Sequence, residues 1–217
     1  MSALGIPCLT ELRCPLPAAE NRTDTPRAER RAFAYTPAMA LTATLHTLRV
    51  ALNDADRGVY ETLELRIARH PSETLPYMLA RTLGYCLYWE PDIGFSKGLS
   101  TTDEPAVWVK SLDGRIKLWL DVGHPSADRL HKASKAAQRV AVCTFQDLDA
   151  LTRTFAGARI HRAEEIELLG LPTPLLEPLE ALVERRMDWD VAVSGGQLYV
   201  TTAGQTLSGE FARRMLR

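Results

Sequence analysis

Strands and helices alternate along this 217-residue chain, an order that predicts an α/β (α+β) fold in which a mixed β-sheet is flanked by helices. Two kinds of pattern carry that expectation. Apolar residues recur at strand period in 41–52, 59–69 and 106–123, and at helical spacing in 72–90. Turn-rich segments separate these runs.

The elements follow in order. Runs 41–52 and 59–69, joined by Asn53-Asp54-Ala55-Asp56-Arg57-Gly58, predict an opening hairpin. Ser72 is positioned to cap a helix over 72–90, where Leu75, Met78, Leu79, Thr82, Leu83, Cys86 and Leu87 share a face. Pro76 falls in the first turn, where a missing N–H is tolerated, and Pro91 ends the helix. A Gly/Ser/Thr loop, 94–103, leads to a hairpin around Asp113-Gly114, the preferred dipeptide for a two-residue type I′ turn. Beyond it come a helix at 126–137, a strand at 139–144, a helix at 146–155, a strand at 165–169 and a helix at 175–187. A last hairpin, 188–193 with 197–201, turns at Ser194-Gly195-Gly196.

The chain is 46% hydrophobic, enough for one well-buried domain and too short for two large ones. That domain is expected over 39–217. Residues 1–38 lack sustained apolar periodicity and predict disorder. Their mixture of acids and arginines argues against a transit peptide, and Met39 reads as the natural start, with the extension a product of misjudged initiation. A formal net charge of −1 leaves no global footprint for nucleic acid, so such contact has to be local. Without a signal peptide, a long apolar run or closely spaced cysteines, the expectation is a cytoplasmic protein with no membrane partner.

The hairpin at 104–123 is the feature with most chemistry. A two-residue turn at Asp113-Gly114 would oppose Leu112 to Arg115, Val109 to Leu118, Trp108 to Trp119 and Ala106 to Asp121. One face is then apolar: Val107, Val109, Ile116, Leu118, Leu120 and Val122. The other carries Glu104, Trp108, Lys110, Lys117, Trp119 and Asp121. That face reads either as a solvated strand surface or as a site in which Glu104 and Asp121 gather a divalent cation. Mg²⁺ suits it, since it takes one or two carboxylates and keeps waters for a phosphate to displace. Glu73 at the helix start reads as a dipole-complementing acid or as a third carboxylate. Arg69 is a candidate phosphate contact, and Arg129, Lys132 and Lys135 form a short basic stripe on helix 126–137.

Several motifs stand in order: Ala68-Arg69-His70-Pro71-Ser72-Glu73-Thr74; Phe95-Ser96-Lys97-Gly98-Leu99-Ser100; Asp103-Glu104-Pro105 with Trp108, Lys110-Ser111-Leu112 and Gly114; and Leu118-Trp119 to Gly123. From Met39 onward the chain resembles the YaeQ family of small bacterial proteins. The resemblance implies a fold similar to the PD-(D/E)XK nuclease superfamily, with an atypical motif. It implies a helix acid at Glu73, a first motif acid in 103–106, and a second at Asp121. Ala106, opposite Asp121, leaves Glu104 for the first acid. Gly123 stands where the motif lysine would, which leaves Lys97 as the replacement candidate.

Two functional expectations follow. The first is a Mg²⁺-dependent nuclease acting on DNA or RNA, with Glu104 and Asp121 as metal ligands, Glu73 supporting and Lys97 positioning the attacking water. The second is a catalytically degenerate nuclease fold that binds nucleic acid or a protein partner in a transcription-linked role. It would use Trp108 and Trp119 as stacking faces and Arg69 and Lys117 as nearby cations.

Overall fold

A computed structural model describes residues 43–96 and 103–216. Expectations placed on 1–38 and on Lys97 lie outside the described residues, all of which belong to the compact unit Ala40–Arg217. In order these are β1 (Thr44–Asp54), β2 (Val59–Arg69), α1 (Leu75–Leu87), β3 (Ile93–Phe95), β4 (Val107–Lys110), β5 (Ile116–Val122), α2 (Ala127–Ala136), β6 (Ala137–Thr144) and α3 (Leu148–Thr154). Then come a 3₁₀ turn (Ala163–Glu165), β7 (Ile166–Gly170), α4 (Thr173–Ala181), β8 (Arg186–Ser194), β9 (Gln197–Thr202), β10 (Gln205–Glu210) and β11 (Ala212–Met215).

The expected single sheet is two sheets. One has the order β10-β9-β8-β1-β2, the other β11-β7-β6-β5-β4-β3, and both mix parallel with antiparallel pairs. The opening hairpin forms as expected, but its first strand takes its second neighbour from β8, a parallel pairing that sequence separation hides.

Helix α1 is buried continuously from Met78 to Leu87. A helix apolar on one face only would leave a wet side, whereas burial around the whole circumference marks a helix packed on both sides. Its residues share one core with the inner faces of both sheets: Leu48, Val50, Leu63 and Leu65 on one side, Val107, Leu118 and Leu120 on the other. A Cβ on Gly84 would stand 3.1 Å from Leu120 Cδ2, so the glycine permits the close approach of helix and sheet. On the opposite face of the second sheet, Trp119, Val140 and Val142 pack with Leu130 and Ala133 of α2 and with Leu148 and Leu151 of α3. No helix among the described residues is long and apolar enough to cross a membrane.

Three local expectations need correction. Helix α1 starts at Leu75, not at 72: Thr74 is the N-cap, its hydroxyl accepting from Tyr77 N–H, so Glu73 lies ahead of the helix. The helix expected over 175–187 ends at Ala181, and Met187 belongs to β8. At Asp113-Gly114 only Gly114 has a positive φ (82°), which rules out type I′, since that turn needs two such residues. Instead Gly114 N–H bonds Ser111 O and Ser111 N–H bonds Arg115 O, closing a three-residue loop, Leu112-Asp113-Gly114. A register shift between Val109 and Lys110 absorbs the extra residue, so Trp108 still faces Trp119 and Val109 still faces Leu118. Gly195-Gly196, both at positive φ, make the tight turn between β8 and β9.

Candidate functional site: two buried carboxylates held by arginines

Strand β5 runs parallel to β6 and antiparallel to β4, and Asp121 lies near its carboxyl end. Crevices outside such strand ends are the usual ligand sites of open α/β sheets. Two helices begin close to this end. Gly123 at the end of β5 faces Tyr77 in the first turn of α1, where an added Cβ would lie 3.9 Å from the ring. Helix α2 starts immediately afterwards, capped by Ser126, whose hydroxyl accepts from Arg129 N–H.

The second face of the hairpin is divided: Trp119 and Asp121 are buried, while Lys110 and Lys117 are exposed. Asp121 is 3% exposed. Arg129 holds both of its oxygens, Nε to Oδ2 at 2.7 Å and Nη2 to Oδ1 at 2.7 Å, a bidentate fork. The same Nη2 donates to the backbone carbonyl of Glu104 at 2.7 Å. The bond to the Asp121 carboxylate raises the guanidinium pKa, against burial. Arg129 had been expected on a solvated basic stripe. It folds inward because its N3 position on α2 sets it above the strand end.

Glu73 forms a second pair on the α1 side. It is 3% exposed, with Arg81 Nη2 2.9 Å from Oε1 and donating to Oε2 at 3.2 Å. His70 N–H also donates to Oε2, at 3.2 Å. Burial pushes the Glu73 carboxyl pKa up, against the opposing pull of Arg81. Arg69 Nε donates to the Glu73 backbone carbonyl at 2.9 Å, so this expected phosphate contact is engaged in shaping the turn.

Between the two pairs sits Tyr77, four residues from both Glu73 and Arg81. Burial raises its phenol pKa, and Arg81, Asp121, Glu73 and Arg129 all bear on it. Tyr77 and Arg81 were absent from the sequence-level site. The available signal was spacing, since 73, 77 and 81 recur every four residues.

The remaining expected residues are scattered. Glu104 is partly buried, and its Oε2 is buried with no hydrogen-bond partner. Trp119 is 6% exposed in the core under α2, with the Arg129 guanidinium 5.6 Å from its ring centroid, so its face is closed to a stacking base. Trp108 is partly buried, and Lys110 Nζ lies 3.3 Å from its ring centroid. Lys117 is exposed on the same strand face as Trp119. Among the described residues no three His, Cys, Asp or Glu side chains gather so as to hold a metal. The donor set fits Mg²⁺ poorly: Arg129 holds both oxygens of Asp121 and Arg81 lies 2.9 Å from Glu73 Oε1, so each of these carboxylates already faces a guanidinium. Gly123 has φ +84°, a conformation an L side chain rarely adopts. A lysine at this position would be strained.

Residues 39–211 match the YaeQ protein family. The chain belongs to that family. It is 37% identical over 107 residues to YaeQ of Escherichia coli (strain K12), a stretch covering 49% of this chain and 59% of that protein. To YaeQ of Salmonella typhi it is 29% identical over 170 residues, covering 78% and 94%. Two crystal structures share the fold. YaeQ from Pseudomonas syringae superposes with TM-score 0.71 at 33% identity, covering 79% of this chain and 95% of that one. YaeQ from Xanthomonas axonopodis pv. citri gives 0.75 at 29% identity, covering 81% and 100%. The two-sheet α+β architecture described above is therefore the architecture of the YaeQ fold.

Proposed function

We propose that this YaeQ-family chain is a nucleic-acid-binding module on a PD-(D/E)XK nuclease-like scaffold in which an arginine stands where the nuclease would hold its metal. One observation carries the reading. Arg129 occupies both oxygens of Asp121 and the carbonyl of Glu104, the two residues to which the nuclease motif would assign the cation. A guanidinium in that position supplies fixed positive charge without an exchangeable ligand and cannot activate a water as a metal does.

The binding surface lies on the neighbouring part of the same sheet face. Trp108 with Lys110 above its ring, exposed Lys117, and exposed Lys132 and Lys135 on α2 combine an aromatic with cations. That composition suits single-stranded nucleic acid, where stacking on an aromatic adds to backbone attraction. The chain's net charge of −1 requires the attraction to be local. Fluorescence anisotropy with labelled single-stranded DNA and RNA tests the reading. Binding that weakens with salt and falls in a Lys110→Glu/Lys132→Glu variant supports it. No binding to either, or binding indifferent to both charge reversals, overturns it.

A second reading, the Mg²⁺-dependent nuclease, has one observation in its favour: the unpartnered buried oxygen of Glu104. It requires Arg129 to release Asp121.

A further inference from the structure

We infer that this protein self-associates through the β2 edge, in an antiparallel pairing centred on Leu65 that joins two five-stranded sheets into one. Strand β2 ends its sheet, and all eleven of its residues pair with β1 without a bulge. Edges of this kind are usually blunted by proline, bulges, short length or charged side chains; β2 has none of the first three, and its charges, Glu61, Glu64, Arg66 and Arg69, are of both signs.

The hydrogen-bonding pattern shows which groups are available. Thr47 N–H donates to Arg185 O, on the β8 side of β1. Backbone groups alternate sides along a strand, so residues 46, 48, 50 and 52 face β2, and their partners are Ile67, Leu65, Leu63 and Glu61. The N–H and C=O groups of Tyr60, Thr62, Glu64, Arg66 and Ala68 therefore point outward. Consistently, Ala68 O accepts from Arg81 Nη2. Among the described residues, no other element satisfies the outward groups of Tyr60, Thr62, Glu64 and Arg66. All four side chains are exposed.

A two-fold antiparallel pairing must set even residues against even ones, which leaves few registers. Centred on Glu64, it opposes glutamate to glutamate; centred on Arg66, arginine to arginine. Centred on Leu63, it sets Glu64 against Thr62 and Arg66 against Tyr60. Only the Leu65 centre places Glu64 against Arg66 of the second copy, twice by symmetry; it also sets Glu61 opposite Arg69, whose Nε is already held by the Glu73 carbonyl. Opposite charges directly across a strand pair stabilise it and like charges destabilise it. The edge is thus complementary to itself in one register, and its occupant is a second copy of this chain.

Sedimentation of the full chain over micromolar to submillimolar concentrations tests this, with circular dichroism verifying that each variant is folded. The wild type is expected to approach twice 24.1 kDa. Glu64→Arg and Arg66→Glu should each weaken association by about tenfold or more, because each sets like charges opposite one another. The double variant Glu64→Arg/Arg66→Glu should recover it. A wild type that stays monomeric throughout, or a dimer that neither single reversal weakens, would overturn the proposal.

Discussion

Arg129 grips Asp121 by both carboxylate oxygens, 2.7 Å from each, while its own backbone N–H is capped by Ser126. Helix start and strand end are thereby tied together by one residue. With Asp121 3% exposed, truncation of Arg129 leaves a carboxylate with little water. Arg129→Ala is expected to destabilise the fold by about 3 kcal/mol, in the range for removing one partner of a buried pair. Urea denaturation measures it. The double variant Arg129→Ala/Asp121→Asn should recover part of the loss, because the stranded charge goes with its partner.

Glu73 gives a pH prediction. Its folded pKa is raised above 4.5, chiefly by burial. Over the window above that value the native state therefore binds more protons than the unfolded state, and this group's contribution to stability falls as pH rises through the folded pKa. Below about pH 4.5 the contribution is fully present. Glu73→Gln cannot titrate, so wild-type stability should fall relative to that variant as pH rises from about 4 to 7. Equal slopes in parallel denaturation series would refute the assignment.

A lysine placed at position 123, where the nuclease reading would want one, should not confer activity. At φ +84°, Gly123→Lys is expected to cost about 1–2 kcal/mol, the penalty for a left-handed L residue. It should confer no cleavage of DNA or RNA in the presence of Mg²⁺. A gain of cleavage would revive the catalytic reading.

The tight passage of α1 over the second sheet predicts a packing defect. Gly84→Ala brings a methyl to 3.1 Å from Leu120 Cδ2, and overpacking of this kind costs about 1–3 kcal/mol. Gly58→Ala, where nothing lies within 4 Å but φ is +67°, reports left-handed backbone strain alone, a term Gly84 lacks because it is helical. Thermal melts of both variants separate the two effects.

The strands and helices legible in the sequence were those with local signals. The strand patterns of β1, β2 and β5 depend on neighbours in the chain, and these strands stand as expected, although β5 is buried on both faces. The division into two sheets was illegible because the parallel pairing of β1 with β8 joins residues more than 130 positions apart. β10 was missed although Ala203-Gly204, both at positive φ, make a tight turn there. At the site, Arg129 reaches both the Asp121 carboxylate and the Glu104 carbonyl, and nothing local indicated that it would turn inward. An arginine on an amphipathic helix reads the same whether its side chain meets water or a buried carboxylate. The continuous burial of α1 similarly hid Arg81, the partner that Glu73 requires.

Isothermal titration of Mg²⁺ into the 217-residue chain tests the central claim most directly, that Arg129 replaces a metal at Asp121. The account predicts no saturable binding in the wild type. Stoichiometric binding that disappears in both Asp121→Asn and Glu104→Gln would contradict it and would restore Glu104 and Asp121 as metal ligands.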